Sequence, residues 1–253
     1  MTNQLLSGRK ILVTGASRGI GAAAARLFAH EGAAVALAAR SAGALDDVAG
    51  EITAAGGTAF AIVADLADPR SVEDAVAGAA DRLGGLDGAF NNAAVFERTT
   101  DLTDRTEDEF DDLVRVNLKG VWVAMAAQVR MMRAAGGGAI VGTSSIAGLR
   151  QYHLTPVYSA FKRALNSLTE SAAVSYGPAG IRVNAVAAGL TRTDMAEGWE
   201  EQQPGITAAI TGQIPLRRAA RPQEIAEAAA WLLSDRASFV TGAVLPVTGG
   251  ADV

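Results

Sequence analysis

Residues 10–21 read Lys-Ile-Leu-Val-Thr-Gly-Ala-Ser-Arg-Gly-Ile-Gly, and the fold prediction starts from this segment. The apolar run Lys10 to Thr14 predicts a buried first strand, and the glycines after it predict a sharp turn into a helix over Ile20 to Glu31. Glycines let the backbone approach a pyrophosphate closely, and the amide groups at the start of the helix attract its charge. A glycine turn alone also fits an ordinary strand-to-helix connection, so its function depends on the rest of the chain.

Strand and helix patterns alternate along the whole chain, without repeats or a low-complexity linker. Each predicted strand is a short apolar run, which suits parallel strands that helices cover on both faces. Proline begins predicted helices at Pro69, Pro156 and Pro222, where its missing N–H is not needed. The remaining predicted strands are Ala33 to Ala39, Ala59 to Ala64, Leu86 to Asn91, Ala139 to Thr143, Arg182 to Val186 and Ala243 to Val247. We therefore predict one α/β domain over residues 1–253, a Rossmann fold with a doubly wound, seven-stranded parallel sheet and helices on both faces.

Composition narrows the classes of function. The 253 residues are 49% hydrophobic and 19% charged, which provides for one substantial core. The net charge of −5 argues against nucleic acid as a partner and against a basic membrane-binding face. The chain has no cysteine, which excludes disulfides and thiolate chemistry, and its two isolated histidines predict no metal site. No apolar run is long enough to span a membrane and no secretory signal is evident, so we expect a cytoplasmic protein.

Tyr158 and Lys162 stand four residues apart, so on a helix they share one face. A free tyrosine has a pKa of about 10, too high for proton exchange at neutral pH, and a neighbouring cation lowers that pKa. This pair is therefore suited to acid-base chemistry. The spacing alone also fits an exposed helical pair, but the upstream Ser144-Ser145 and the glycine turn favour the catalytic interpretation.

These motifs together resemble the short-chain dehydrogenase/reductase family, over nearly the whole chain. Thr14 to Gly21 fits the family's cofactor turn, residues 91–94 read Asn-Asn-Ala-Ala where the family has Asn-Asn-Ala-Gly, and Tyr158 and Lys162 fit its catalytic pair. The resemblance is to 3-oxoacyl-acyl carrier protein reductases and related ketoreductases. It implies an enzyme that transfers a hydride between NADP(H) and a ketone or secondary alcohol.

The resemblance also assigns a catalytic set of Asn117, Ser145, Tyr158 and Lys162. In this set, Tyr158 is the acid/base, Ser145 orients the carbonyl oxygen, Lys162 binds the nicotinamide ribose and lowers the tyrosine pKa, and Asn117 holds a relay water. Ser145 is preferred to Ser144 because its thirteen-residue separation from Tyr158 matches the family. Either serine as a loop cap, and Asn117 as the stabiliser of a helix distortion, remain alternatives.

The end of the second predicted strand indicates which cofactor binds. In dinucleotide folds an acidic residue here binds the ribose hydroxyls of NAD, whereas a basic residue accommodates the 2′-phosphate of NADP. Ala39 stands where NAD-preferring relatives have an aspartate, and Arg40 follows it, so we expect NADP(H). Arg18 and Arg40 as plain surface residues, and Asp65 as a helix cap or loop acid, are the alternatives. The resemblance assigns cofactor contacts to Gly15, Ser17, Arg18, Gly19, Ile20, Gly21, Arg40, Ser41, Asp65, Leu66, Asn92, Tyr158, Lys162, Thr191 and Thr193.

Residues from about 190 to 215 occupy the position of the family's variable substrate lid. We expect Val95-Phe96 and Leu149 to His153 to line the opposite wall, which predicts a moderately apolar small-molecule carbonyl or alcohol substrate. His153 also fits an exposed loop histidine. The resemblance further implies a homotetramer, with a dimer as the alternative. In either assembly the predicted helices Phe110 to Arg133 and Pro156 to Tyr176 pair across subunits.

Three positions depart from the family pattern: Ala94 replaces a glycine, Ala188 replaces a proline, and Thr248 replaces an acidic residue. None of them removes a group from the expected proton or hydride path. Two other functions stay open, namely a non-catalytic NADPH-responsive binding protein and a reductase of imines. The intact catalytic set argues against the first, and these residues do not separate ketone from imine substrates.

Overall fold

The computed structural model describes residues 4–97, 100–150 and 155–252, and its strands form a single parallel sheet. The strands are β1 (Lys10–Thr14), β2 (Ala34–Ala39), β3 (Thr58–Val63), β4 (Gly88–Asn91), β5 (Gly138–Ser145), β6 (Ile181–Ala188) and β7 (Val244–Val247). Their order across the sheet is β3-β2-β1-β4-β5-β6-β7. The order reverses between β1 and β4, and such a reversal opens a ligand cleft at the carboxyl ends of the strands.

Helices cover both faces of this sheet. They are α1 (Gly19–His30), α2 (Ala42–Ala54), α3 (Pro69–Leu83), α4 (Glu107–Val114), α5 (Val121–Ala135), α6 (Pro156–Tyr176), α7 (Asp194–Gln202), α8 (Ile206–Gln213) and α9 (Pro222–Leu233). Proline occupies the first turn of α3, α6 and α9, as predicted.

Two apolar cores hold the helices against the sheet. One core packs α1 and α2 on β1 and β2, and α9 on β5 and β6, and Phe28 of α1 meets Phe90 of β4 edge-on at 5.9 Å between ring centres. The other core packs α3, α5 and α6 on the opposite face, around Val76, Met132 and Ala172. The predicted single-domain, doubly wound fold is therefore confirmed.

The boundaries differ from the prediction where local composition is a weak guide. β5 and β6 run two residues beyond their predicted ends, because their pairing continues to Ser145 and Ala188. The predicted helix Phe110 to Arg133 instead begins at Glu107, where Thr106 and Glu109 form a reciprocal capping box. A π-helical segment, Arg115–Gly120, joins α4 to α5.

Candidate active site

The glycine turn lies at the reversal of the sheet, where Thr14 of β1 is paired with Asn91 of β4. A Cβ atom on Gly21 would lie 2.1 Å from the carbonyl oxygen of Gly15, so only glycine fits there. Arg18, at the N-cap of α1, makes no side-chain capping bond. The first amide groups of α1 are thus left for an anion, as the sequence predicts.

Asn92 and Thr14 fix this turn against the end of β4. The Thr14 hydroxyl oxygen accepts hydrogen bonds from the amides of Asn92 at 3.1 Å and Ala93 at 3.2 Å. The Asn92 side chain donates to the carbonyl oxygens of Thr14 and Gly15, both at 3.4 Å, and accepts from the Thr143 hydroxyl at 3.2 Å. Asn92 therefore lies at the floor of the cleft.

Basic side chains border the far end of the cleft. Arg40 and Ser41 follow β2 and are exposed, and within the described segments Arg40 has no salt-bridge partner. Arg18 instead lies 3.4 Å from Asp194, the first residue of α7, with both side chains more than half exposed. The glycine turn and the lid thus meet through one exposed ion pair.

Asp65 and Leu66 follow β3 and line the same cleft, as expected. The Asp65 carboxylate accepts the amide of Ala67 at 3.0 Å, and its own amide donates to the Ser71 hydroxyl at 3.0 Å. Asp65 therefore also shapes its loop, which is the alternative that the sequence left open.

Ser145, Tyr158 and Lys162 come together at the inner end of the cleft. The Ser145 hydroxyl lies beside the Tyr158 phenol, whose pKa it lowers, and it also accepts the amide of Ala147 at 3.1 Å. The Lys162 ammonium lies 5.3 Å from the centre of the Tyr158 ring. In contrast, the Ser144 hydroxyl donates to buried Asn166 at 2.6 Å, so Ser145 is the serine beside the phenol.

Burial dominates the acid-base properties of this pair. It raises the pKa of Tyr158 to about 12, against the smaller lowering effect of the Ser145 hydrogen bond. Burial also lowers the pKa of Lys162 to about 8. The pKa of Tyr158 therefore lies above its ordinary value, because burial disfavours the charged phenolate.

Asn117 lies in the π-helical segment and is buried. Its carboxamide pairs with the backbone of Val95 in both directions, accepting from the Val95 amide at 3.0 Å and donating to its carbonyl oxygen at 2.9 Å. Asn117 therefore fixes the loop after β4. The helix distortion that the sequence left open is present, but Asn117 does not line the cleft, whereas its neighbour Val116 does.

The lid forms two helices, α7 and α8, over the range predicted for it. Thr191 and Thr193 precede α7 and line the cleft, as expected. Phe96 stands between Tyr158 and Trp199, with ring centres 5.2 and 5.3 Å away, respectively. The cleft encloses about 1170 Å³, and its apolar lining includes Val95, Phe96, Ile146, Met195, Trp199, Ile206, Ile210 and Ile214.

The wall of the cleft opposite the lid agrees only partly with the sequence prediction. Arg150 borders the cleft, and its guanidinium donates to the carbonyl oxygen of Ala251 near the C-terminus. Leu149 does not line the cleft; its carbonyl oxygen accepts from Arg163 at 3.1 Å. The predicted wall residue His153 lies outside the described residues.

Among the residues that the structure describes, no helix combines the length and the apolar character that a membrane span requires. The same residues hold no group of three or more His, Cys, Asp or Glu side chains arranged to bind a metal ion.

Known proteins match this chain over all the residues that line the cleft. The family model for enoyl-(acyl carrier protein) reductase matches residues 15–252. An A-factor type gamma-butyrolactone 1'-reductase (1S-forming) from Streptomyces virginiae is 43% identical over 247 residues, which cover 97% of this chain and 96% of the relative. The chain belongs to the short-chain dehydrogenase/reductase family.

Other short-chain dehydrogenases/reductases agree in sequence and in structure. Cis-4-hydroxycyclohexanecarboxylate dehydrogenase from Sinomonas cyclohexanicum is 42% identical, over 96% of each chain. A short-chain dehydrogenase from Burkholderia cenocepacia, crystallised with NADP, superposes with a TM-score of 0.90 at 37% identity and covers 98% of this chain and 100% of its own. A 3-ketoacyl-(acyl-carrier-protein) reductase from Brucella melitensis, crystallised with NADH, gives 0.92 at 31% identity, with 98% and 100% covered. This short-chain dehydrogenase/reductase is thus an oxidoreductase that uses a nicotinamide cofactor.

Sequence reasoning missed several residues that shape this short-chain dehydrogenase/reductase site. Thr143 accepts from Lys162 and donates to Asn92, and its place two residues before Ser145 on a predicted strand was a usable signal. Glu97 and Arg105 form a buried ion pair beside the start of α6. Nothing in their spacing indicated that pairing.

Proposed function

We propose that this enzyme reduces the ketone group of apolar, ring-bearing compounds with NADPH, and oxidises the matching secondary alcohols in reverse. The observation that carries the proposal is the cluster of Ser145 with the buried Tyr158 and Lys162. It joins the glycine-turn cleft to an apolar chamber around Phe96 and Trp199. Such a cluster places a proton donor beside a surface on which a carbonyl compound can rest.

The cleft fits a nicotinamide dinucleotide. The close approach of Gly21 to Gly15 leaves no room for side chains at the turn, and the uncapped start of α1 offers amide groups to a pyrophosphate. When bound, the reduced nicotinamide supplies the hydride. The residues that would hold it are those predicted along the cleft from Gly15 to Thr193, and Lys162 would bind its ribose.

Tyr158 would donate its phenolic proton to the carbonyl oxygen, and the Ser145 hydroxyl would hydrogen bond to that same oxygen. A pKa raised to about 12 keeps the phenol protonated at neutral pH, so the donor form is the resident one. Lys162, with a pKa of about 8, remains mostly charged at that pH and favours the phenolate that the transfer leaves behind.

Asn117 remains part of the proposed catalytic set. Because Val95 engages both ends of its carboxamide, a relay water would bind the main-chain carbonyl group of Asn117 instead of the side chain. A π-helical segment shifts backbone groups out of the regular helical hydrogen-bond pattern, which supports this assignment.

NADPH, rather than NADH, is the proposed reductant. Ala39 offers no carboxylate to the ribose hydroxyls, and the exposed Arg40 beside it suits the 2′-phosphate. Arg18 would add a second cation, because its exposed pair with Asp194 is weak enough to exchange for a phosphate. The bound NADP of the Burkholderia relative supports this choice.

The apolar chamber supports the proposed substrate class. Phe96 and Trp199 form an aromatic wall next to Tyr158, against which a flat or puckered ring can pack. The names of the Streptomyces and Sinomonas relatives denote a lactone and a cyclohexane compound. A ring ketone would therefore place its carbonyl group at Ser145 and its apolar body under the lid.

The assembly that we propose is a homotetramer in the cytoplasm, where reduced cofactor is maintained. Its first interface would cover the groove between the π-helical segment, α5 and α6, which is lined by Val114, Leu118, Lys119, Trp122, Ala164, Ser167, Leu168 and Ser171. Trp122 is 53% exposed in the single chain, which favours a second copy as the occupant.

A substrate panel tests the proposal. Purified enzyme would be mixed with NADPH and cyclic ketones, open-chain ketones, imines or acyl-chain ketones, and consumption would be followed by the absorbance of the reduced cofactor. We expect cyclic ketones to give the highest kcat/KM. A clear preference for imines or for long acyl chains would contradict the substrate class, and NADPH binding without turnover on any compound would favour a binding protein.

A further inference from the structure

The start of α6 lacks the capping that its own sequence would normally supply. Thr155 occupies the N-cap but makes no side-chain capping bond, and Pro156 has no amide hydrogen. Tyr158 is the third residue of the helix, so its amide has no acceptor inside the helix. An acceptor from elsewhere in the chain must satisfy it.

Glu97 supplies that acceptor from the loop after β4, 61 residues earlier in the chain. Its Oε2 atom accepts the Tyr158 amide at 2.7 Å, and the residue is only 1% exposed. A carboxylate at a helix N-terminus interacts favourably with the helix dipole, and a hydrogen bond to a charged acceptor is stronger than a neutral one. Glu97 is therefore the cap of the catalytic helix.

Arg105 balances the charge of this cap. Its Nη2 atom lies 2.8 Å from Oε1 of Glu97, and the two side chains are 5% and 0% exposed. Burying an ion pair contributes little to stability compared with apolar side chains of similar volume. A role in positioning another group explains better why the Glu97–Arg105 ion pair is buried beside the candidate active site.

The residues before Glu97 complete the contact with Tyr158. Phe96 packs edge-on against the Tyr158 ring, and Val95 is held by Asn117 through two hydrogen bonds. Three consecutive residues thus link the π-helical segment to the backbone and the ring of Tyr158. Movement at Glu97 would be transmitted directly to the phenol.

We propose that Glu97 is a positioning residue, which fixes the Tyr158 phenol by capping the first turn of α6, with Arg105 as its counter-ion. The inference rests on the catalytic role proposed above for Tyr158. Proton transfer is sensitive to geometry, and a displacement of about 1 Å can cost roughly a hundredfold in rate.

Two double variants separate positioning from stability. Glu97→Leu/Arg105→Leu removes both the ion pair and the acceptor, whereas Glu97→Gln/Arg105→Leu removes the ion pair but keeps an amide oxygen as acceptor. For the first we expect kcat to fall about tenfold or more, with KM for NADPH within about twofold of the wild type. The second should recover most of that loss, because the Tyr158 amide is again capped.

Equal kcat values in the two double variants would overturn the proposal, and so would a near-normal kcat in the Leu/Leu variant. Melting temperatures would be measured for both, so that a shared loss of stability is not read as a catalytic effect. If the Leu/Leu variant does not fold, amide hydrogen exchange in the wild-type enzyme tests the proposal instead.

Amide hydrogen exchange in the wild-type enzyme gives that independent measurement. The Tyr158 amide should exchange as slowly as amides in the middle of α6, although it has no acceptor within the helix. Fast exchange would overturn the proposal even if Tyr158→Phe is inactive. Slow exchange together with an active Tyr158→Phe variant would instead refute the catalytic role of Tyr158 and leave the Glu97 cap in place.

Discussion

The ammonium of Lys162 donates to the carbonyl oxygen of Thr143 at 2.7 Å, and Lys162 is only 3% exposed. Thr143 lies on β5, and its hydroxyl donates to Asn92 at 3.2 Å. Lys162 of α6 is thereby connected, through Thr143, to the residue that holds the glycine turn. We therefore expect one substitution at Lys162 to act on the proposed proton donor Tyr158 and on the cleft together.

Lys162→Ala should accordingly reduce both turnover and NADPH affinity. A hydrogen bond to a charged group is worth roughly 1.5–3 kcal/mol, which corresponds to about a tenfold or larger rise in Kd for NADPH. Fluorescence titration and steady-state kinetics measure the two effects. Arg130→Ala, which removes an exposed base from α5, serves as the control, and an unchanged Kd at Lys162→Ala would contradict the ribose contact.

Tyr158→Phe should lower kcat by about a hundredfold or more while folding and NADPH binding are retained, because only the proton donor is removed. The measurement is the initial rate with a confirmed substrate at saturating cofactor. Tyr176→Phe removes a hydroxyl from the last residue of the same helix and should leave kcat unchanged. A near-normal rate for Tyr158→Phe would mean that another group carries the proton.

Arg40→Asp should weaken NADPH binding far more than NADH binding. The substitution replaces a cation by a carboxylate that repels the 2′-phosphate, while the ribose of NADH gains an acceptor. Titration of both cofactors against both proteins gives the ratio of affinities directly. A wild-type preference for NADH, or equal losses for both cofactors, would refute the NADPH assignment.

The burial of Lys162 should appear in the pH dependence of stability. Its pKa is lowered from 10.5 to about 8, so between these values the unfolded chain binds more protons at this site than the folded one does. Stability from this group therefore rises with pH across that window, by at most about 1.4 kcal/mol per pH unit. Below pH 8 the full cost of the buried ammonium is present.

Denaturant unfolding of the wild type and of Lys162→Met isolates this effect. Tyr158 titrates in both proteins, so its opposite contribution at higher pH largely cancels in the difference. The free energy of unfolding of the wild type should increase relative to that of the variant as pH rises from about 8 to about 10.5. A difference that stays flat over this range would show that the ammonium is not desolvated.

The proposed assembly predicts that the wild type sediments as four chains of 25.8 kDa at micromolar concentration. Trp122→Glu should shift the protein to smaller species, because it places a charge in the apolar groove of the proposed interface. Trp122→Phe keeps an apolar ring and should leave the assembly intact. A wild type that sediments as a single chain would contradict the proposal.

Sequence periodicity and proline placement were sufficient for most of the fold. The strand Lys10–Thr14 and the helix Pro156–Tyr176 match their predicted bounds, since a buried apolar run and a first-turn proline are local signals. The extension of β5 to Ser145 was missed because alanine, glycine and serine have weak strand preferences, and pairing with β6 decides the end.

Local sequence also predicted some parts of the candidate site and not others. Tyr158 and Lys162 were found because one helix fixes their relation, and the glycine turn because its shape depends on neighbouring residues. The cap at Glu97 and the reciprocal bond between Asn117 and Val95 join residues far apart in the chain. The raised pKa of Tyr158 was not predicted, because the extent of burial is a property of the folded molecule.

The reversal of strand order between β1 and β4 has a consequence for synthesis of the chain. The amide of Lys10 donates to the side chain of Asp87 at 2.9 Å, and 77 residues separate the two. Until the ribosome has made β4, strand β1 has no partner on the side opposite β2. The cleft then lacks the wall that β4 and its following loop provide. We therefore expect the nicotinamide cofactor to stabilise only nascent chains that have grown past Asn92, and a chain arrested earlier to gain no protection from it.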